Sequence, residues 1–405
     1  MATASASAND YRVMGLIGAG HFVSHFFLLC LPPLFPLIKP EFDVSYAALG
    51  LAVTLLNSFT GFGQVPTGFF VDRWGARRVL FLGMLLLSAS IAAIGFTSSY
   101  WALIALVCLA GLGNAVFHPA DYAILGASID EKRIGRAFGV HMLGGNIGFA
   151  AAPPVMVALA ALFDWRTALL VAGVGGVVVT LVMWSQSGSM REEAPQPAAK
   201  KGKDTEGGSA RLLLSAPMLL FLVFFVIAAM MTQGTQSFLV VALVNLHGTP
   251  LAVANAALTG FLLGGVAGTA CGGFVADGTD RHVAITLACL LLTGALMLVV
   301  GLTDPSVVLL ISALAGAGFA QGIFRPARDM IVRRLTPKGA MGKVFGFVSS
   351  GLHIGGTIAP VLFGWFLDLG RPVLIFAFLA AMMLLACLIV LVVDKLYVPR
   401  GVAAV

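Results

Sequence analysis

Charge is what this sequence has least of. Only 10% of its 405 residues are Asp, Glu, Lys or Arg, and 59% are hydrophobic, against about 25% charged in a soluble domain. With a mean hydropathy of +0.98, a water-soluble globule is excluded and an integral membrane protein is implied. Cysteine is scarce as well. Cys30, Cys108, Cys271, Cys289 and Cys387 all fall in apolar runs and read as small core residues, which excludes a disulfide framework. The first ten residues, M-A-T-A-S-A-S-A-N-D, have neither the basic start nor the cleavage site of a signal peptide, so the first apolar run is expected to stay as an anchor. The sequence carries no nucleotide-binding, metal-ligand or nucleophile pattern. No bond-making chemistry is expected, and no cofactor or metal.

Apolar runs are what the sequence has in abundance. Crossing roughly 30 Å of hydrocarbon takes about 20 residues, and twelve such runs lie near 13–38, 46–71, 79–97, 101–127, 137–162, 167–187, 213–244, 251–276, 283–302, 306–332, 342–367 and 372–393. They are far longer than the strands of a membrane barrel, about 9–11 residues, so the spacing predicts an all-α integral membrane protein.

The chain also repeats itself. Phe117, Pro119, Gly135, Phe138, Gly139, Gly148 and Pro153 recur as Phe324, Pro326, Gly342, Phe345, Gly346, Gly355 and Pro360 at one offset of 207 (324 − 117), with no gap. Half a chain repeated in tandem predicts two pseudo-symmetric six-helix bundles, a layout typical of transporters with a solute site between repeats. The expected division is 1–187, a Pro/Gly-rich and charged cytoplasmic linker over 188–212, and 213–405.

Of the 24 Lys and Arg, 19 fall on the side that holds both termini, three on the other (Lys39, Arg166, Arg371) and two within a span (Arg325, Arg328). The positive-inside rule therefore places both termini in the cytoplasm, and the net charge of +6 reflects topology, with no nucleic-acid partner implied.

After the second span comes G-F-F-V-D-R-W-G-A-R-R, containing Gly68, Asp72, Arg73, Gly75, Arg77 and Arg78. Glycine permits close helix approach, the carboxylate can meet a helix N-terminus or an arginine, and the arginines anchor at the headgroups. Gly273, Asp277 and Arg281 form a weaker second copy at offset 205 (277 − 72). This loop resembles the signature between helices two and three of the major facilitator superfamily, and with twelve spans and a basic central loop the resemblance covers essentially the whole chain. It implies the major facilitator fold and a gating role for the loop.

Phe-His-Pro in the fourth span, G-G-N-I-G in the fifth and a His-Phe pair in the first are similar to the fosmidomycin-resistance branch, whose members are proton-driven drug exporters; His25 stands where such members commonly carry an acidic residue. Gly139, Gly148, Ala152 and Pro153 resemble a helix-five motif associated with antiporters, with Ala152 in place of the usual glycine. The repeat of that spacing at Gly346, Gly355, Ala359 and Pro360 equally suits small residues that let helices of opposite bundles pack and rock.

Ionisable residues inside a span are costly and face a cavity or a partner. His21 and His25 lie one turn apart on the first span. His25 is the candidate for proton coupling or solute contact, and a neutral imidazole bonded to a backbone carbonyl is the plainer alternative. Asp121 is the carboxylate well inside the first bundle, three residues after His118, and the two are candidates for proton exchange; a structural hydrogen bond closing the helix after Pro119 is the alternative. His141 and Asn146 are weaker pore candidates.

In the second half, Gln233 and Gln236 share a face of the seventh span and are candidates for solute hydrogen bonds. Arg325 and Arg328, one turn apart in the tenth span, are permanent charges that need anions: Asp329, Asp121 or a carboxylate or phosphonate solute. By the repeat they correspond to His118 and Asp121. The alternative puts Arg328 and Asp329 at the start of the following loop. His353 in the eleventh span is a weak candidate.

Together these residues predict alternating access with a cavity lined by helices one, four, seven and ten. The leading expectation is a proton-coupled exporter of a small anionic or amphipathic compound in the cytoplasmic (inner) membrane. An uptake permease for small organic anions is the second, and a transporter-like sensor the third. The expected partners are a small-molecule solute, protons and membrane lipid, and a monomer is expected.

Overall fold

Backbone amides in hydrocarbon find no water, so each apolar run closes its own hydrogen bonds as a helix. Several of the ends fall where proline, glycine or a capping side chain interrupts the ladder. The computed structural model describes residues 2–192, 211–337 and 340–397. Among them are twelve helical spans long and apolar enough to cross a membrane, the number expected, and no strand. The chain divides into two compact units, Met1–Lys200 and Lys201–Val405. The expected linker falls largely on 193–210, outside the described residues.

In the first unit, α1 (Ala2–Leu28) stops short of Pro32 and Pro33, whose rings and missing N–H groups end the ladder; the chain resumes as α2 (Phe35–Phe42) and completes the first span, Ala8–Phe42. Then come α3 (Tyr46–Trp74), opened by Ser45 Oγ accepting from the Ala48 N–H at 3.0 Å, and α4 (Ala76–Ile94). The fourth span is in two pieces, α5 (Tyr100–Asn114) and α6 (Phe117–Ser128). Pro119 explains the break, because its ring collides with the carbonyl four residues back, at Ala115. The unit closes with α7 (Ile134–Leu162) and α8 (Trp165–Ser185).

The second unit holds α9 (Ala216–His247), α10 (Leu251–Asp277), α11 (His282–Leu302), α12 (Val307–Leu335), α13 (Met341–Asp368) and α14 (Val373–Tyr397). Pro326, the copy of Pro119, sits inside an unbroken α12. The two units pack alike: α7 lies along α1, α8 along α4 and α5 along α3, and correspondingly α13 along α9, α14 along α11 and α12 along α10.

Glycine makes these pairings close. A Cβ added at Gly144 would stand 2.3 Å from the Gly18 carbonyl oxygen, and one at Gly148 would stand 2.3 Å from that of Phe22. Their copies meet the same obstacle, Gly351 at 2.7 Å from the Leu222 oxygen and Gly355 at 2.1 Å from that of Val226. Gly148 and Gly355, expected to let helices of opposite bundles pack, thus press helices together within their own units, as Gly144 and Gly351 do. Gly139 and Gly346 have nothing within 4 Å. Gly148→Ala is therefore expected to destabilise the protein by about 1–3 kcal/mol, the usual cost of overpacking, because backbone cannot swing aside as a side chain can. Thermal unfolding in detergent reads this, with Gly139→Ala as the near-neutral control; equal melting of the two variants would contradict it.

The free cysteines vary in burial: Cys30 and Cys387 are buried, Cys108 and Cys289 half-buried. Cys271 is exposed on α10, so the core reading does not hold for it.

Candidate functional site

Three helices of the first unit carry ionisable side chains to one place. α1 brings His21 and His25, α6 brings His118 and Asp121 just past the proline break, and α7 brings His141. Gly145 makes room for them: a Cβ there would lie 2.6 Å from His21 Cδ2 and 2.7 Å from His25 Nδ1. The glycines that hold α7 against α1 thus also bring His141 onto the α1 histidines.

Asp121 is fully buried. Its Oδ2 lies 3.0 Å from His141 Nε2 and 3.7 Å from His21 Nδ1, while its Oδ1 has no hydrogen-bond partner. The His21 and His141 rings are stacked with centroids 3.7 Å apart, and His25 and His118 lie 4.3 and 5.3 Å from His21. Phe149 covers His25 at 4.3 Å, and Tyr122 lies 5.4 Å from the His141 ring. A polar tie crosses the helix break beside the cluster. Ser24 Oγ donates to Asn114 Oδ1 at 2.7 Å, and Asn114 Nδ2 donates to Thr60 Oγ1 at 3.4 Å, linking α1, α5 and α3.

His25, His118 and Asp121 are accordingly brought together, with two residues that sequence reasoning underrated. His141 forms the short contact with Asp121, and His21 stacks on His141. A signal for both was present in the repeat. At the offset of 207, His21 falls on Ala228 and His141 on Val348 (228 − 21, 348 − 141), so these histidines are absent from the copy that shares the packing glycines. The expectation of no metal-ligand constellation is also corrected. One nitrogen each from His21, His118 and His141 lie within 4.8 Å of one another, a grouping from three distant segments that no local spacing reveals.

The second unit holds the arginines. Arg328 is satisfied at home: its Nε donates to Asp329 Oδ1 at 2.8 Å, its Nη2 lies 2.8 Å from the same oxygen, and its guanidinium stands 4.2 Å from the centroid of the Phe225 ring. Arg325, half-buried one turn earlier, has no ion pair or hydrogen bond among the described residues. Gln233 Nε2 donates to Ser237 Oγ at 3.5 Å, and Gln236 is buried. His353 is exposed on α13.

In the signature loop, Gly75 takes φ +88° between α3 and α4. The carboxylate expected at this helix N-terminus, Asp72, is exposed; Glu192 from beyond α8 takes the position. Arg77 N–H donates to Glu192 Oε1 at 2.5 Å, Arg77 Nη2 lies 3.2 Å from Oε2, and Arg77 Nη1 donates to the Ser187 carbonyl at 3.3 Å. An anion suits the positive end of α4, and a Cβ on Gly75 would approach Glu192 Oε1 to 3.0 Å. Gly68 has nothing within 4 Å, so close approach does not explain it, and Arg73, Arg78, Asp277 and Arg281 are exposed. Glu192→Ala is expected to cost about 1 kcal/mol, the usual value of a lost helix cap, since a partly exposed ion pair adds little. A melting temperature unchanged from the parent would refute that role.

The family model of the Major Facilitator Superfamily matches residues 17–253 and 222–403. The uncharacterized MFS-type transporter YfnC of Bacillus subtilis (strain 168) is 24% identical over 389 residues, 94% of this chain and 93% of that protein. The fosmidomycin resistance protein of Escherichia coli (strain K12) is 23% identical over 285 residues, 70% of each. In three dimensions, a bacterial homologue of the human lysosomal transporter Spinster, crystallised inward-facing and occupied, superposes with a TM-score of 0.79 at 16% identity, over 97% of this chain and 99% of that one. Matched over nearly its whole length and built of twelve spans in the same fold, the chain belongs to the Major Facilitator Superfamily and is a membrane transporter, not an enzyme.

Proposed function

We propose that this transporter exports a small anionic or amphipathic compound in exchange for protons, by alternating access. The observation that carries the reading is the Asp121 cluster: a carboxylate buried in a transmembrane helix whose near partners are imidazoles. Such a group exchanges a proton with its neighbours without leaving a net charge stranded in hydrocarbon. Asp121 is the coupling residue in this reading, with His118 and His25 in the same cluster, and Arg325 supplies the anion contact, because a guanidinium with no ion pair or hydrogen bond among the described residues favours a carboxylate or phosphonate. Arg328, Gln233 and Gln236 are secondary solute contacts. Gly68, Asp72, Arg73, Gly75, Arg77 and Arg78, with Asp277 and Arg281, form the gate. Export is favoured by the antiporter-like spacing of α7 and by the likeness to a protein named for fosmidomycin resistance.

Proteoliposomes loaded with a pH dye test this directly. Short carboxylates and phosphonates added outside should alkalinise the lumen, as protons leave while solute enters. Acidification would instead establish the second reading, an uptake permease for organic anions, which Arg325 also suits. A panel with no proton movement would overturn coupling altogether. We also place both termini in the cytoplasm of the inner membrane, from the distribution of Lys and Arg. A C-terminal fusion to alkaline phosphatase should then be inactive and one to green fluorescent protein bright; the reverse pattern would invert the topology.

A further inference from the structure

We infer that the first unit carries a binding site for a divalent transition-metal ion, ligated by His21, His118 and His141 from α1, α6 and α7. This goes beyond the proposed exchange of solute and protons, and it does not need that reading to hold. The three ligand nitrogens lie within 4.8 Å of one another, so a point exists no more than about 2.8 Å (4.8/√3) from each. Imidazole binds Zn²⁺ at about 2.0–2.1 Å, and closing that difference takes a shift of under about 1 Å in each nitrogen together with rotation of the His21 and His141 rings, which stack here with planes 24° apart.

Donor nitrogens are free to bind. Both ring nitrogens of His21, and Nδ1 of His141, are buried with no hydrogen-bond partner; a neutral imidazole carries one lone-pair nitrogen, and a buried polar group left unsatisfied calls for an occupant. Asp121 meets the second requirement of such a site. Its Oδ2 lies 3.0 Å from His141 Nε2, the carboxylate–imidazole contact that fixes the tautomer and orientation of a metal-binding histidine and raises its basicity. One buried carboxylate also offsets part of a divalent charge.

The donor set selects the ion. Imidazole nitrogens suit Zn²⁺, Ni²⁺, Co²⁺, Cu²⁺ and Fe²⁺, whereas Mg²⁺ and Ca²⁺ take oxygen ligands and Cu⁺ prefers sulfur. His25, whose ring is 4.3 Å from that of His21, is the nearest further imidazole. The repeat argues against a packing origin for the cluster. At the offset of 207 the three ligands fall on Ala228, Arg325 and Val348, so the second unit builds the same helix packing without them.

The test uses the full chain, purified with a histidine-free tag in detergent or nanodiscs and titrated with Co²⁺, whose visible ligand-field absorption reports nitrogen coordination. One equivalent should bind with intense absorption, displaced by Zn²⁺. His21→Gln and His118→Gln should each weaken binding at least about tenfold, and Asp121→Asn by about 10–100-fold, the usual effect of losing a carboxylate behind a metal-binding histidine. His247→Gln, whose imidazole bonds the Val300 carbonyl, should bind as the parent does. Where one variant fails to fold, another of the set gives the same reading, with folding checked by size-exclusion profile. Absence of a saturable Co²⁺ band in the parent, or equal binding by a His21→Gln/His118→Gln double variant, overturns the site. Because binding is read without solute or gradient, its failure is distinct from failure of proton exchange, which the pH dye reports.

Discussion

Replacing Asp121 by asparagine is expected to abolish solute-driven proton movement while leaving solute binding within a few-fold of the parent. Asparagine keeps the volume of the side chain and one oxygen to face His141, so the packing of α6 against α1 and α7 is retained. It cannot take up or release a proton, and the cluster loses its carboxylate, since Asp121 is the acid that His141 and His21 contact, at 3.0 and 3.7 Å. In proteoliposomes the variant should move labelled solute down its own gradient and fail to concentrate it against one when a pH gradient is imposed. The loss of accumulation should be complete within the noise of the assay, because coupling depends on having the titratable group at all. Uphill transport that persisted in Asp121→Asn would remove Asp121 from the coupling role, and His118 or His25 would be the next residues to replace. Solute that no longer bound would mean instead that Asp121 touches the solute.

Arg325→Gln is expected to have the second-largest effect, on solute affinity. A hydrogen bond to a charged group contributes about 1.5–3 kcal/mol, and 1.4 kcal/mol is tenfold in an equilibrium constant. Loss of the guanidinium should therefore weaken binding of an anionic solute by about tenfold to a hundredfold. Arg325→Lys should recover part of that loss, since charge remains but the planar fork does not. Arg328→Gln should cost less, because Arg328 already spends its donors on Asp329 and its face on Phe225. Binding of a labelled carboxylate or phosphonate to the purified protein ranks the three. The order reverses if Arg328 is the anion contact, and a neutral solute would be indifferent to all of them.

Much of the fold was legible in the chain because lipid leaves few choices. A run of about 20 apolar residues has to be a helix, and prolines mark its interruptions. The broken first span follows from Pro32 and Pro33, and the broken fourth from Pro119. Yet Pro326 at the matching position leaves α12 continuous, so a proline shows where a break can occur while packing decides whether it does. The repeated glycines were equally legible as packing residues, although not what they pack against: Gly148 and Gly355 meet the carbonyls of Phe22 and Val226 in their own units.

The site was legible only in part. His25, His118 and Asp121 stood out because each is an ionisable residue in an apolar run. His141 was undervalued because nothing near it in sequence announces a partner; its contact with Asp121 spans 20 residues and two helices. At the signature loop the residue type was anticipated but not the residue. A carboxylate does meet the start of α4, and it is Glu192, 115 residues from Arg77 along the chain.

The sequence by itself determined the class, the number of spans and the tandem repeat, since these depend on hydrophobic length and on comparing the chain with itself. Only the tertiary structure decided which imidazoles face Asp121, that Arg328 is paired, and that three histidines come within reach of a single ion. The physical reason is the same in each case. Hydrocarbon acts on every residue of a span wherever it lies in the chain, whereas a contact between α1, α6 and α7 exists only once the glycines of α7 have let the backbones meet.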